Sequence, residues 1–154
     1  MVTPVYEIVG IDGLRVSPHR GIVFLRDSQD PLLNASAVFE ILGKKRSLMV
    51  RSRFDYWIDR NVCDDYFHGW PGDSQYKGCF VFKWKHNRQC HRLYGFLHHP
   101  YVNTRRAFQL CVLCTHATKN QWATDPAELA GALALSTDRL VHTALSMKFL
   151  DTGP

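Results

Sequence analysis

The spacing of apolar and polar residues changes period several times along the chain. Residues 5–26 hold two apolar runs, YEIVGI and GIVFLR, separated by the turn-rich DGLRVSPHR, and both suit strands. Asp30-Pro31 ends that stretch, and the period then lengthens. Asn34 is placed to cap a short helix through Leu42, with Val38, Ile41 and Leu42 on one face and Gly43 as a left-handed stop. From Lys44 to about Arg60 the spacing predicts a longer helix. Val50, Phe54, Trp57 and Ile58 form its inward stripe, while Arg51, Arg53, Asp59 and Arg60 take other faces. Two helices joined by one glycine predict an antiparallel hairpin.

Residues 61–76, punctuated by Gly69, Pro71 and Gly72, read as loop. An antiparallel meander follows. In the first strand Phe80, Phe82 and Trp84 alternate with Val81, Lys83 and Lys85; in the second Arg92, Tyr94 and Phe96 oppose His91, Leu93 and Leu97. His86-Asn87-Arg88-Gln89 is the turn between them. A longer loop over 98–106 leads to Phe108–Thr115, nearly all apolar, as suits a strand buried on both faces. Asp125, Pro126 and Glu128 mark a helix start by cap, first-turn proline and third-position acid, and Ser136-Thr137-Asp138 opens another helix. No repeat, low-complexity tract or linker divides the 154 residues, which predict a single domain.

Charge alters this picture. From Lys77 to Thr124 the chain runs 48 residues without an Asp or Glu, yet it holds eight Lys or Arg and five of the eight histidines. The remainder, with eleven basic and fourteen acidic residues, is formally −3, so a +8 block sits in a mildly acidic frame. Such asymmetry points to a polyanionic partner, because each neutralised phosphate releases counterions. The plainer reading of the same feature is a solvated basic face. No apolar run reaches the length of a membrane helix and the start lacks a signal-peptide pattern, so a cytoplasmic protein is expected. Five cysteines, an odd number, are expected to be reduced thiols.

Cys111-x-x-Cys114-x-His116 looks like half a zinc site, but residues three apart on a strand point to opposite faces, so no metal or other cofactor is expected. A metal-bound interaction module remains a minor alternative. The polar side of the meander offers Lys83, Lys85, His91, Arg92, Tyr94 and His116. That set suits metal-free RNA cleavage, in which a base takes the ribose 2′-OH proton, an acid protonates the leaving oxygen and cations hold the phosphorane charge.

The order of elements, with GKKRSLMVRSRFDYWIDRN, KGCFVFKWKHNRQCHRLYGFL and FQLCVLCTHATKNQWATDPAELAGAL, resembles the RelE/HigB-like toxins, including phage-derived relatives, over about residues 20–135. The resemblance implies an α+β, RelE-like fold: an N-terminal helical hairpin packed on a small antiparallel sheet (a three-stranded meander plus an N-terminal strand), then C-terminal helices, with extensions at both ends. It implies a metal-independent endoribonuclease that meets RNA on the ribosome and is covered by an antitoxin. Lys85, Arg92, His116 and Lys119 would form its catalytic set, and Lys83, Arg88, Arg105 and Arg106 its RNA contacts. Asn120 stands where the family's second turn lysine belongs, the 98–106 loop is expanded, and Asp125 precedes Pro126. The alternative is a catalytically silent domain on the same scaffold that binds nucleic acid or a host protein.

Overall fold

Both N-terminal apolar runs form strands in the computed structural model of the chain, which describes residues 5–27, 29–30, 33–119 and 126–150. They are β1 (Tyr6–Val9) and β2 (Arg20–Asp27), paired antiparallel. A 3-10 turn over Ala35–Ala37 leads into α1 (Val38–Ile58). After it come β3 (Phe67–Gly69), β4 (Cys79–His86), β5 (Gln89–His98) and β6 (Gln109–Lys119). The chain closes with α2 (Pro126–Ser136) and α3 (Arg139–Lys148). The six strands make one sheet in the order β1-β2-β6-β5-β4-β3, in which β2 lies parallel to β6 and the other neighbours are antiparallel.

This architecture corrects the expected fold. The sheet is six-stranded and mixed, not a small antiparallel meander, and two of its strands precede any helix. In place of a helical hairpin there is one element from Val38 to Ile58, broken at Gly43, whose φ of 75° and ψ of 170° suit glycine alone. The limb before that glycine is about one and a half turns, too short to be one arm of a hairpin. Asn34 does not cap it; its side-chain oxygen accepts from the Ser36 hydroxyl, and its backbone bridges to Arg26. β3 went unseen because three residues cannot display an alternation.

Strand alternation then sets the core. Phe80, Phe82, Trp84, Leu93, Cys111 and Leu113 face α1, where Val50, Phe54, Trp57 and Ile58 cover them. The opposite face splits between α2 and α3. Cys79, Val81 and Tyr94 meet Leu129 and Ala132 of α2, while Leu110, Val112 and Cys114 meet Val141 and Leu145 of α3. Cys111 and Cys114 therefore lie on opposite faces of β6, and burial raises both thiol pKa values well above the ordinary range. Among the described residues no three His, Cys, Asp or Glu side chains are gathered as for a metal ion. None of the described helices is long and apolar enough to cross a membrane.

Two local features fix the sheet's middle. Between Tyr94 and Gly95 the β5–β6 register shifts by a bulge, and Gly95 lies so close to β6 that a Cβ there would sit 2.0 Å from the Val112 carbonyl oxygen. At the β4–β5 turn Asn87 and Arg88 both have positive φ, 50° and 64°, as a two-residue turn of the hairpin-favouring hand requires. The cap signal of α3 holds: the Asp138 side chain accepts from the backbone N–H of Leu140 and Val141. Pro126 opens α2 as its sequence signal requires, while the Asp125 cap lies outside the described residues.

Candidate nucleic-acid interface

Period-two alternation sorts the basic segment before any contact is considered. Lys83 and Arg92 are register partners on the α2 side of the sheet, and both are buried, Arg92 to 1% exposure. Burial first, then the charge of Arg92, lowers the Lys83 pKa. His91 and His116 occupy the α1 side. The imidazole nitrogens His91 Nδ1 and His116 Nε2 lie 3.0 Å apart, at hydrogen-bond distance. Both rings run nearly parallel to the Trp84 indole, at centroid distances of 5.3 and 6.1 Å. Burial and the neighbouring His91 push the His116 pKa down to about 4, and burial with His86 lowers that of His91.

The sheet thus separates the expected catalytic set. Arg92 and His116 sit on opposite faces, and Arg92 has Ala117, not His116, as its partner across β6. Lys85 is exposed near the β4–β5 turn. Lys119 pairs through its backbone with Cys90, and its side chain lies outside the described residues. The expected RNA contacts are divided as well. Arg88 is at the turn, whereas Arg105 and Arg106 are in the loop at the other end of β5, a strand of ten residues that spans about 30 Å. Arg105 lies over Tyr101, 4.3 Å from the ring centre, and Arg106 Nε donates to the Val102 carbonyl.

A shallow cleft of about 480 Å³ opens near the turn, lined by Arg53, Asp65, Tyr66, Trp84 and Lys85. Arg53 comes from α1. Its guanidinium lies 4.0 Å from the centre of the Tyr66 ring and donates to the Lys83 carbonyl, and burial lowers its pKa. Tyr66 and Tyr56 are both partly exposed, with ring centres 6.4 Å apart. Cations, exposed aromatic faces and a tight basic turn therefore meet at one end of the sheet. Sequence reading placed Lys85 and Arg88 there but missed Arg53, assigned only to an outer helix face, and Tyr66, assigned to loop.

A second cleft, of about 560 Å³, opens at the β3 edge and is lined in part by Arg20, Trp57, Asp64, Phe67, His68 and Lys83. The His68 pKa is lowered, chiefly by burial, against the opposing pull of the Gly69 carbonyl. No protein-family model, curated protein or solved structure matches the chain.

Proposed function

We propose that the chain is an RNA-binding domain that grips single strands at the turn end of its sheet without cutting them. The observation that carries this reading is the cleft in which Arg53 and Lys85 flank the exposed Tyr66, with Lys85 three residues before Arg88 in the two-residue β4–β5 turn. Single-stranded nucleic acid is held by cations that track phosphates and by aromatic faces on which bases stack. Asp65 is the one acid lining the cleft, and the segment that supplies Lys85 and Arg88 contains none.

Binding is favoured over cleavage by the same alternation that built the sheet. A metal-free ribonuclease needs its proton carriers and its phosphate cations around one phosphorus atom. Here Arg92 is buried on one face and the His91–His116 pair on the other. Of the expected catalytic residues, Lys85 keeps an exposed position and serves as a phosphate contact. The toxin reading, with its ribosome and antitoxin, would require the chain to cut RNA all the same, and one experiment addresses both.

Fluorescence anisotropy with a labelled single-stranded RNA, across a range of salt, tests the proposal. With about four phosphate contacts, log K should fall against log salt with a slope near −3. Lys85→Ala and Arg88→Ala should each flatten the slope by about 0.7, and Tyr66→Ser should weaken binding by about 1–3 kcal/mol without changing it. No binding at low salt overturns the reading. Fragments of the same RNA on a gel, lost in His116→Gln, would replace it with the endoribonuclease.

A further inference from the structure

The larger cleft at the β3 edge shares no lining residue with the RNA cleft, although Asp64, Phe67 and Lys83 are chain neighbours of Asp65, Tyr66 and Trp84 in that cleft. Its volume of about 560 Å³ is that of a small-molecule pocket. The floor is apolar: Trp57, Phe67 and Phe80 are all buried, with ring centres 5.6 Å apart for Trp57–Phe80 and 6.1 Å for Phe67–Phe80. Arg20 reaches this floor from β2. Its guanidinium lies 4.6 Å from the centre of the Trp57 ring, and Nη1 donates to the Trp57 carbonyl at 2.7 Å.

The chemistry of Arg20 is what selects a ligand. The group is removed in part from water, and among the described residues it forms no ion pair; the ion pairs Arg15–Asp59 and Arg26–Glu7 lie elsewhere. The largest charged influence on it is another cation, Arg60. A partly desolvated guanidinium with one hydrogen bond to a carbonyl retains donors that a neutral wall cannot satisfy. His68 and Lys83 add positive or neutral nitrogen to the wall, Asn61 adds an amide, and Asp64 is the sole carboxylate among the lining residues.

We propose that this cleft binds a small organic anion, its carboxylate or phosphate on Arg20 and its apolar body over Phe67 and Phe80. The forked guanidinium suits a planar or tetrahedral oxyanion, and its stacking on Trp57 fixes the fork's direction before the ligand arrives. The apolar floor demands more than an inorganic ion. Neither half of the ligand fills the site alone, so the site selects for both. This reading is independent of RNA binding at the turn.

Calorimetric titration of the full chain with phenyl phosphate and with benzoate, against inorganic phosphate and benzyl alcohol, tests it. One or both aryl anions should bind with a Kd at least about ten-fold below those of the two half-ligands, and which of them binds tighter identifies the head group. Arg20→Met, which keeps the aliphatic stem on Trp57, should weaken that binding about ten-fold or more. Because Arg20→Met also removes the bond to the Trp57 carbonyl, a rim variant provides a second arm. Val62 lines the cleft and is 81% exposed, so Val62→Glu should leave the melting temperature unchanged while repelling the anion about five-fold. Benzyl alcohol binding as well as phenyl phosphate and benzoate, no binding by either anion, or wild-type affinity in Val62→Glu overturns the proposal. RNA anisotropy should be unaltered in both variants.

Discussion

Acid should destabilise this protein well above the pH at which its carboxylates titrate, and the buried histidines set the size of the effect. Burial, with His91, holds His116 at about 4, and burial, with His142 and His99, holds His98 at about 4. Both titrate near 6.5 in an unfolded chain. Between those values the unfolded state binds protons that the native state does not, so stability is full above about pH 6.5 and falls as pH drops toward 4. From pH 7 to pH 5 the linkage amounts to about 2 kcal/mol per histidine. Residual solvent contact of both rings reduces this to about 1 kcal/mol each, or about 2 kcal/mol together. With a urea m-value of about 2 kcal/mol/M, the midpoint should fall by about 1 M between pH 7 and pH 5, at constant m. The hydrogen bond between His91 and His116 gives the control. His116→Gln keeps an amide that can meet His91 but cannot titrate, so it should lose about half the pH dependence whatever its stability at pH 7. A midpoint that is the same at pH 7 and pH 5 would refute the reasoning, as would a His116→Gln variant with the full wild-type slope.

Two further substitutions probe the frame. Gly95→Ala places a Cβ against the Val112 carbonyl and the Leu113 Cα in mid-sheet, where only backbone movement can make room; a loss of about 3–5 kcal/mol, or failure to fold, is expected by urea denaturation. A stable, wild-type-like Gly95→Ala would mean the β5–β6 approach is wrong. Asp138→Ala removes the side-chain cap of α3 and should cost about 1 kcal/mol, read as a lower melting temperature, while Asp138→Asn should recover most of it.

Much of the sheet was legible because its signals are local. The alternations of Phe80, Phe82 and Trp84 and of Arg92, Tyr94 and Phe96 read correctly, and so did the double burial of the 108–115 run, although that strand continues to Lys119. The start of α3 was legible from Asp138 for the same reason. What failed were decisions that depend on partners distant in sequence. Nothing within GIVFLR says that it will lie parallel to a strand about ninety residues later, yet that pairing of β2 with β6 turns a meander into a mixed sheet. Gly43 was rightly singled out as a break. Whether a break makes a hairpin depends on the length and packing of the first limb, and the five residues from Val38 to Leu42 gave it too little surface to bury on its own.

The site was harder to read, for a reason that period two makes general. A cluster in sequence becomes a cluster in space only on a helix face or a loop; on a strand it is divided between two faces at every step. The 48-residue basic segment is mostly strand, so its charge describes the whole molecule's field while its residues serve different places. His91 and Arg92 are adjacent and end on opposite sides of the sheet; Arg88 and Arg105 end at opposite ends of β5. The residues that complete each cleft come from outside the segment, Arg53 and Tyr66 at the turn end and Arg20 and His68 at the β3 edge. A bulk charge pattern therefore predicts attraction to polyanions through its long-range field, which needs no register. Chemistry at one atom needs convergence, and convergence is decided by register. In this chain the register puts Arg92 and the His91–His116 pair on opposite faces of the sheet, and the proposal of binding without cleavage rests on that separation.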